Sequence, residues 1–223
     1  MVPAFNLRQV KNELSYRFEK DNEIRMIGFL FSRPYSSLSK SQIIPNLDYY
    51  HHRSGKNIDF FCAGYGMYWE SFRNEIPDQI TVTTGRDINW LYSNEKFNLF
   101  RKEIETLTNW NYSGSSDLLL CNAYLQNKND VRIDFSNIFV CDLEKMIADS
   151  VILSVERFFE NIFKYADNPS ETNPVSDFIV NKDIQGVKNI FIKIIDVLLK
   201  KTIGTETKGL KTNFIKDVSQ KAI

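Results

Sequence analysis

The stretch YYHHRSGKNIDFFCAGYG, from Tyr49 to Gly66, carries both histidines of the chain, His51 and His52, beside an SGK tripeptide, Asp59, Cys62, Gly64 and Gly66. An imidazole titrates near neutral pH, so a histidine oriented by a carboxylate makes a general acid–base pair. His51 or His52 could be so held by Asp48 or Asp59, with Lys56 close by in sequence. The competing reading is structural. Two imidazoles and Arg53 in the last turn of a helix meet its exposed carbonyls and the negative end of its dipole. That arrangement is the commoner one for such a sequence. Asp59 lies within an apolar run, and a buried carboxylate needs a partner; Arg53 and Lys56 are the nearest cations in sequence.

Other chemistries fail on spacing. A phosphate-binding loop needs glycine five residues ahead of Gly55-Lys56 and a serine or threonine after the lysine. Tyr50 and Asn57 occupy those places. Zinc needs three or four convergent ligands, and adjacent helical histidines diverge by about 100°; no metal is expected, and no cofactor. PDQITVTTG opens like a nuclease metal motif but lacks the acid-x-lysine triplet that should follow. Gly64, Tyr65 and Trp69 offer a different possibility, a pocket for a small ligand. There glycine permits close backbone approach and aromatic rings can stack. The cysteines, Cys62, Cys121 and Cys141, are odd in number and form no CxxC pair, which excludes a disulfide framework. Cys141 precedes Asp142 and Glu144, whose charges oppose a thiolate.

The bulk numbers are those of a globular chain. Hydrophobic residues make up 43% and charged residues 25% of 223, enough apolar material for a sizeable core. Basic and acidic residues balance at 28 each, which argues against broad nucleic-acid binding through phosphate neutralisation. The N-terminus lacks the apolar stretch of a signal peptide, and no segment has the apolar length of a membrane span. The expected location is the cytoplasm.

The elements that must position these residues follow from periodicity. Leu7, Val10, Leu14 and Phe18 form one face of a first helix. IRMIGFLF and IDFFCA are continuous apolar runs, as in strands buried on both faces. Between them Pro45 opens a short helix that ends at Arg53, with Gly55 as its stop. QITVT is a candidate strand. Ser93 caps a helix whose buried stripe is Phe97, Phe100, Ile104 and Leu107. SDLLLCNAYL and VRIDF pair around NKND as a hairpin. A long helix is expected from Asp142 to Asp167, then a proline-bearing linker over 168–177, then an apolar helix around VKNIFIKIIDVLLKK and a polar end.

This order of strand, helix, strand, helix, hairpin and helix resembles the thioredoxin-like superfamily over Ile24 to Asp167. The resemblance implies that fold. It does not carry over the redox activity. The loop after the first strand, SRPYSSLSKSQ, has no cysteine, and NYSGSSDLLL has no proline before the third strand. The chain also looks like bacterial proteins found in multi-gene, often defence-related, operons.

The expected fold is therefore α/β (α+β), a mixed sheet of four to five strands flanked by helices, in thioredoxin-like order. Residues 1–167 form the core domain, 168–177 the linker, and 178–223 a helical extension and tail. The expected function is a non-enzymatic interaction module, a component of a bacterial multi-protein, antiviral-defence-type system. It would meet a protein partner or a second copy through the C-terminal helix. The alternatives are an enzyme built on His51, His52 and Asp59, and a sensor that binds a small ligand at Gly64, Tyr65 and Trp69.

Overall fold

The computed structural model describes residues 2–18, 24–54, 58–67, 78–127, 130–167 and 215–218. The linker, the apolar C-terminal helix, Gly55, Lys56 and Trp69 lie outside them. The chain forms β1 (Val2–Ala4), α1 (Leu7–Arg17), β2 (Ile24–Phe31), α2 (Leu47–Arg53), β3 (Ile58–Ala63) and β4 (Tyr65–Met67). It continues through β5 (Gln79–Thr83), β6 (Asn89–Ser93), α3 (Asn94–Leu107), β7 (Asp117–Asn127) and β8 (Asp130–Asp142). Then come α4 (Leu143–Ala148), α5 (Val155–Asp167) and β9 (Ile215–Asp217). A π-helical turn, Ser39–Ile43, and a 3-10 turn with Pro45 in its first positions lead into α2.

The main sheet has six strands in the order β1-β3-β2-β7-β8-β9. β1, β3 and β2 are parallel; β7, β8 and β9 continue the sheet antiparallel. The expected mixed sheet flanked by helices is present, with the two short edge strands β1 and β9 added to it. A second sheet, β4-β6-β5, is antiparallel throughout.

Alternation along β2 and β3 assigns the helices to faces. Phe29 and Phe31 on β2 each meet Phe100 of α3 with ring centroids 5.4 Å apart. Phe61 on β3 lies on that side too, 6.0 Å from Phe29. Phe60, between Asp59 and Phe61, points the other way. It stacks on Phe159 of α5 at 4.8 Å and meets Phe163 edge-on at 5.2 Å. Tyr50 of α2 packs on the same Phe159 at 4.8 Å. So α3 covers one face, and α2 with α5 covers the other. Apolar runs without alternation are what such a two-sided sheet requires.

Two expectations change, and one strand was not anticipated. The long helix after Asp142 is two helices. Asp142 caps α4 by accepting from Lys145 N at 3.0 Å. Ser150 then takes a left-handed φ of 56°, and the Val151 and Ile152 amides fold back onto Met146 O. Ser154 starts afresh as a second cap, accepting from Arg157 N at 3.2 Å. Cys141 accordingly ends a strand. The polar end is in part core structure, since β9 pairs with Phe139–Cys141 of β8. Val218 is buried, and its carbonyl accepts from Asn109 N. Finally, NWLYS, with no clear period, is the central strand β6 of the second sheet.

Candidate functional site

His51 and His52 sit in the last turn of α2, as expected. His51 is partly exposed and its ring lies 6.0 Å from Trp90; His52 is exposed. Asp48, one turn earlier, is buried and already engaged. Its Oδ1 accepts from Trp90 Nε1 at 2.7 Å, and its Oδ2 accepts from Thr84 Oγ1. This carboxylate fastens the second sheet to α2.

Asp59 is on the opposite face of the main sheet. Its Oδ1 accepts from Arg17 of α1 at 2.6 Å, and its Oδ2 from Arg25 of β2 at 3.3 Å. Arg53, one of the two cations nearest in sequence, is not among these partners, and Lys56 lies outside the described residues. Arg53 belongs to the α2 face and pairs with Glu160 of α5 at 3.1 Å. Both Asp59 oxygens are thus held by arginines, and the structure does not assemble it with His51 and His52.

Burial pushes the Asp59 carboxyl above its ordinary value, and Arg17 and Arg25 only partly offset that. The folded protein then holds this proton more tightly than the unfolded chain does. Stability at this group is fully present below the unfolded value and is lost as pH rises through the folded one. An Asp59→Asn protein lacks that titration. Urea unfolding at a series of pH values should show the wild-type advantage over Asp59→Asn growing as pH falls from neutral toward the ordinary carboxylate range. A gap that shrinks on acidification would reverse the assignment.

A third buried carboxylate, Asp117, opens β7. It accepts from Trp110 Nε1 and Ser113 N at 3.0 Å each, and from Ser113 Oγ at 2.7 Å. Burial raises its pKa and these donors moderate the rise. Beside it the hydroxyls of Ser32, just past β2, and Ser116 meet at 2.7 Å. The thiols of Cys62, Cys121 and Cys141 are all buried, and burial pushes each well above its ordinary range. They are core residues, with Cys62 and Cys121 in central strands. Among the described residues no group of His, Cys, Asp and Glu could hold a metal ion. No described helix is long and apolar enough to cross a membrane.

The proposed ligand residues lie where β3 ends. Gly64 has φ 79°, donates to Ala4 O at 2.8 Å and accepts from Ser93 N at 2.9 Å. It joins β1 to the start of α3. Tyr65 is fully buried, its ring 4.9 Å from that of Tyr92. Its hydroxyl faces the buried hydroxyl of Ser39, and neither has a further partner among the described residues. Tyr92 in turn lies 6.1 Å from Phe97, and Phe97 lies 5.3 Å from Tyr112. Arg33, two residues past β2, places its guanidinium over Phe97 and Tyr112 at 5.1 and 5.7 Å from their ring centroids.

Polar groups therefore converge at the C-terminal ends of the parallel strands β2 and β3. Sequence reasoning found Tyr65 and missed Arg33 and Ser39. The loop SRPYSSLSKSQ was read for its lack of cysteine. The available signal was an arginine placed directly after a buried strand, where a following proline prevents the strand from continuing.

Comparisons with protein-family models, with curated proteins and with solved structures find no match to this chain.

Proposed function

We propose that the chain is a non-enzymatic protein-interaction module, one component of a bacterial multi-protein system of the antiviral-defence type. One observation carries the non-catalytic part. Each buried carboxylate that could have served as a base is committed to holding elements together. Asp48 ties α2 to the second sheet, Asp59 ties α1 to β2 and β3, and Asp117 anchors the turn before β7. A general base must reach the proton that it abstracts, and every oxygen of these three already accepts from an internal donor. The order β2, α2, β3, α3, β7, β8, α5 supports the thioredoxin-like resemblance, although the small β4-β6-β5 sheet is inserted after β3.

The surface proposed for assembly is the segment beyond the linker. In the sequence Val187, Ile190, Ile194, Val197 and Leu198 recur at the spacing of one helical stripe, which Phe191, Ile195 and Leu199 would widen. Burying five such side chains at about 1.5–3 kcal/mol each is sufficient to hold an interface before the entropic costs of association. Removing the whole C-terminal region would also delete β9, so point changes are the better test. Sedimentation velocity should find full-length protein as a homo-oligomer and an Ile190→Lys/Ile194→Lys variant as a monomer with unchanged near-UV circular dichroism. A monomeric wild type, or a variant of unchanged mass, would refute assembly through this helix.

A further inference from the structure

Arg33 differs from the other arginines held in the core region. Arg17 and Arg25 meet Asp59, Arg53 meets Glu160, and Arg101 meets Glu105. Among the described residues Arg33 has no carboxylate partner; its Nη2 donates to the amide Oδ1 of Asn98 at 3.1 Å. Its Nε is buried with no acceptor among the described residues; the Nε atoms of Arg25 and Arg101 share that state, but those two guanidinium groups each meet a carboxylate. A guanidinium resting on two aromatic rings gains cation–π attraction, but this leaves most of its donor fork unused. A partly desolvated cation with a buried idle donor is costly unless an anion completes it.

Independent features mark the same place. The buried hydroxyls of Tyr65 and Ser39 face each other close by, with no further partner among the described residues. Ser39 begins the π-helical turn, a geometry that recurs at functional sites. The phenol of Tyr112 is pushed up to about 12 by burial, despite the opposing pull of Arg33, so it is a neutral hydroxyl at physiological pH. Topology agrees as well. The chain leaves β2 for β3 on one side, and β7 begins on the other. Arg33 thus lies past the carboxyl end of β2, where the antiparallel β7 starts.

We propose that Arg33 anchors a small oxyanion ligand, a carboxylate or phosphate borne on a compact apolar body, beside the rings of Phe97 and Tyr112. The planar fork of arginine matches either anion with paired hydrogen bonds. The idle Nε–H is the donor such a ligand would take first, and the partly exposed ring of Tyr112 would flank its apolar part. This site is independent of the proposed assembly through the C-terminal helix.

Calorimetric titration of the full chain at constant ionic strength tests it, with inorganic phosphate and benzoate as separate probes. At least one should bind at a single site, and the tighter of the two identifies the anion class. Arg33→Gln should weaken that binding by at least about tenfold, the scale of one charge-assisted hydrogen bond. Arg33→Lys, which keeps the charge but loses the fork, should fall between. In arginine-selective 15N spectra the probe should shift the Arg33 Nε–H signal, assigned by its loss in Arg33→Lys. This readout on wild type stands even if the glutamine variant fails to fold. No binding of either probe at millimolar concentration, equal binding by folded Arg33→Gln, or an unmoved Nε–H signal would overturn the proposal.

Discussion

Phe60→Ala should destabilise the fold by about 3–5 kcal/mol, the range for a large aromatic removed from a packed core. Phe60 is fully buried and fills the space between the sheet and α5. It stacks on Phe159, meets Phe163 edge-on and lies across from Gly28, its registered neighbour on β2. Gly28 has no side chain for a reason that the same ring supplies. A Cβ there would stand 2.7 Å from Phe60 Cδ1 and 2.8 Å from Cε1, with Leu120 Cδ2 at 3.3 Å. Gly28→Ala alone should therefore cost stability through overpacking, about 1–3 kcal/mol. In the Phe60→Ala background the added methyl enters the vacated space, and the same change should be neutral or favourable. A urea-unfolding double-mutant cycle checks this. The pair should show a coupling energy of at least about 1 kcal/mol, with the double mutant more stable than the two single losses imply. Strict additivity would mean that the ring and the glycine do not answer each other.

How much of this was legible in the sequence divides by range. Local grammar was read correctly. Ser93 caps α3, Asp142 caps α4, the residues around NKND turn a hairpin, and the apolar runs of β2 and β3 are two-sided strands. Each of these depends on neighbours within a few positions. The misreadings depend on partners far along the chain. Asp59 was visible as an anomaly, but its arginines lie 42 and 34 residues away and became neighbours only through strand pairing. β1 and β9 are three residues each and are strands only because β3 and β8 are beside them. The split between α4 and α5 was in principle readable at Ser154, a cap residue hidden inside a stretch of continuous helical period. Of the residues grouped in the candidate site, Gly64 and Tyr65 were singled out in the sequence by their residue types. Arg33 was not, because what singles it out is the absence of an acidic partner, which only a three-dimensional arrangement reveals.

Gly64→Ala should cost about 3–4 kcal/mol, combining two penalties at one atom. The first is conformational. Gly64 has φ 79°, and a residue with a Cβ loses roughly 1–2 kcal/mol in the left-handed region. The second is steric. The new methyl would stand 2.7 Å from Phe97 Cβ, 2.9 Å from Ser93 O and 3.0 Å from Phe97 Cα. Two of those three contacts are backbone atoms at the start of α3, so no side-chain rotation relieves them, and overpacking of this kind costs about 1–3 kcal/mol. Moving α3 outward would in turn strain the Ser93 N bond to Gly64 O and pull Phe97 from its contact with Phe31. The sequence assigned this glycine to close approach by a ligand. In the structure the atoms that crowd this position are those of Ser93 and Phe97 at the start of α3. Gly114, also at positive φ, is the control, because a Cβ there meets nothing within 4 Å. Gly114→Ala should show the conformational penalty alone, about 1–2 kcal/mol. Thermal and urea unfolding of both variants separates the terms. Equal losses at the two glycines would show that crowding by α3 contributes nothing, and that backbone strain accounts for the whole effect.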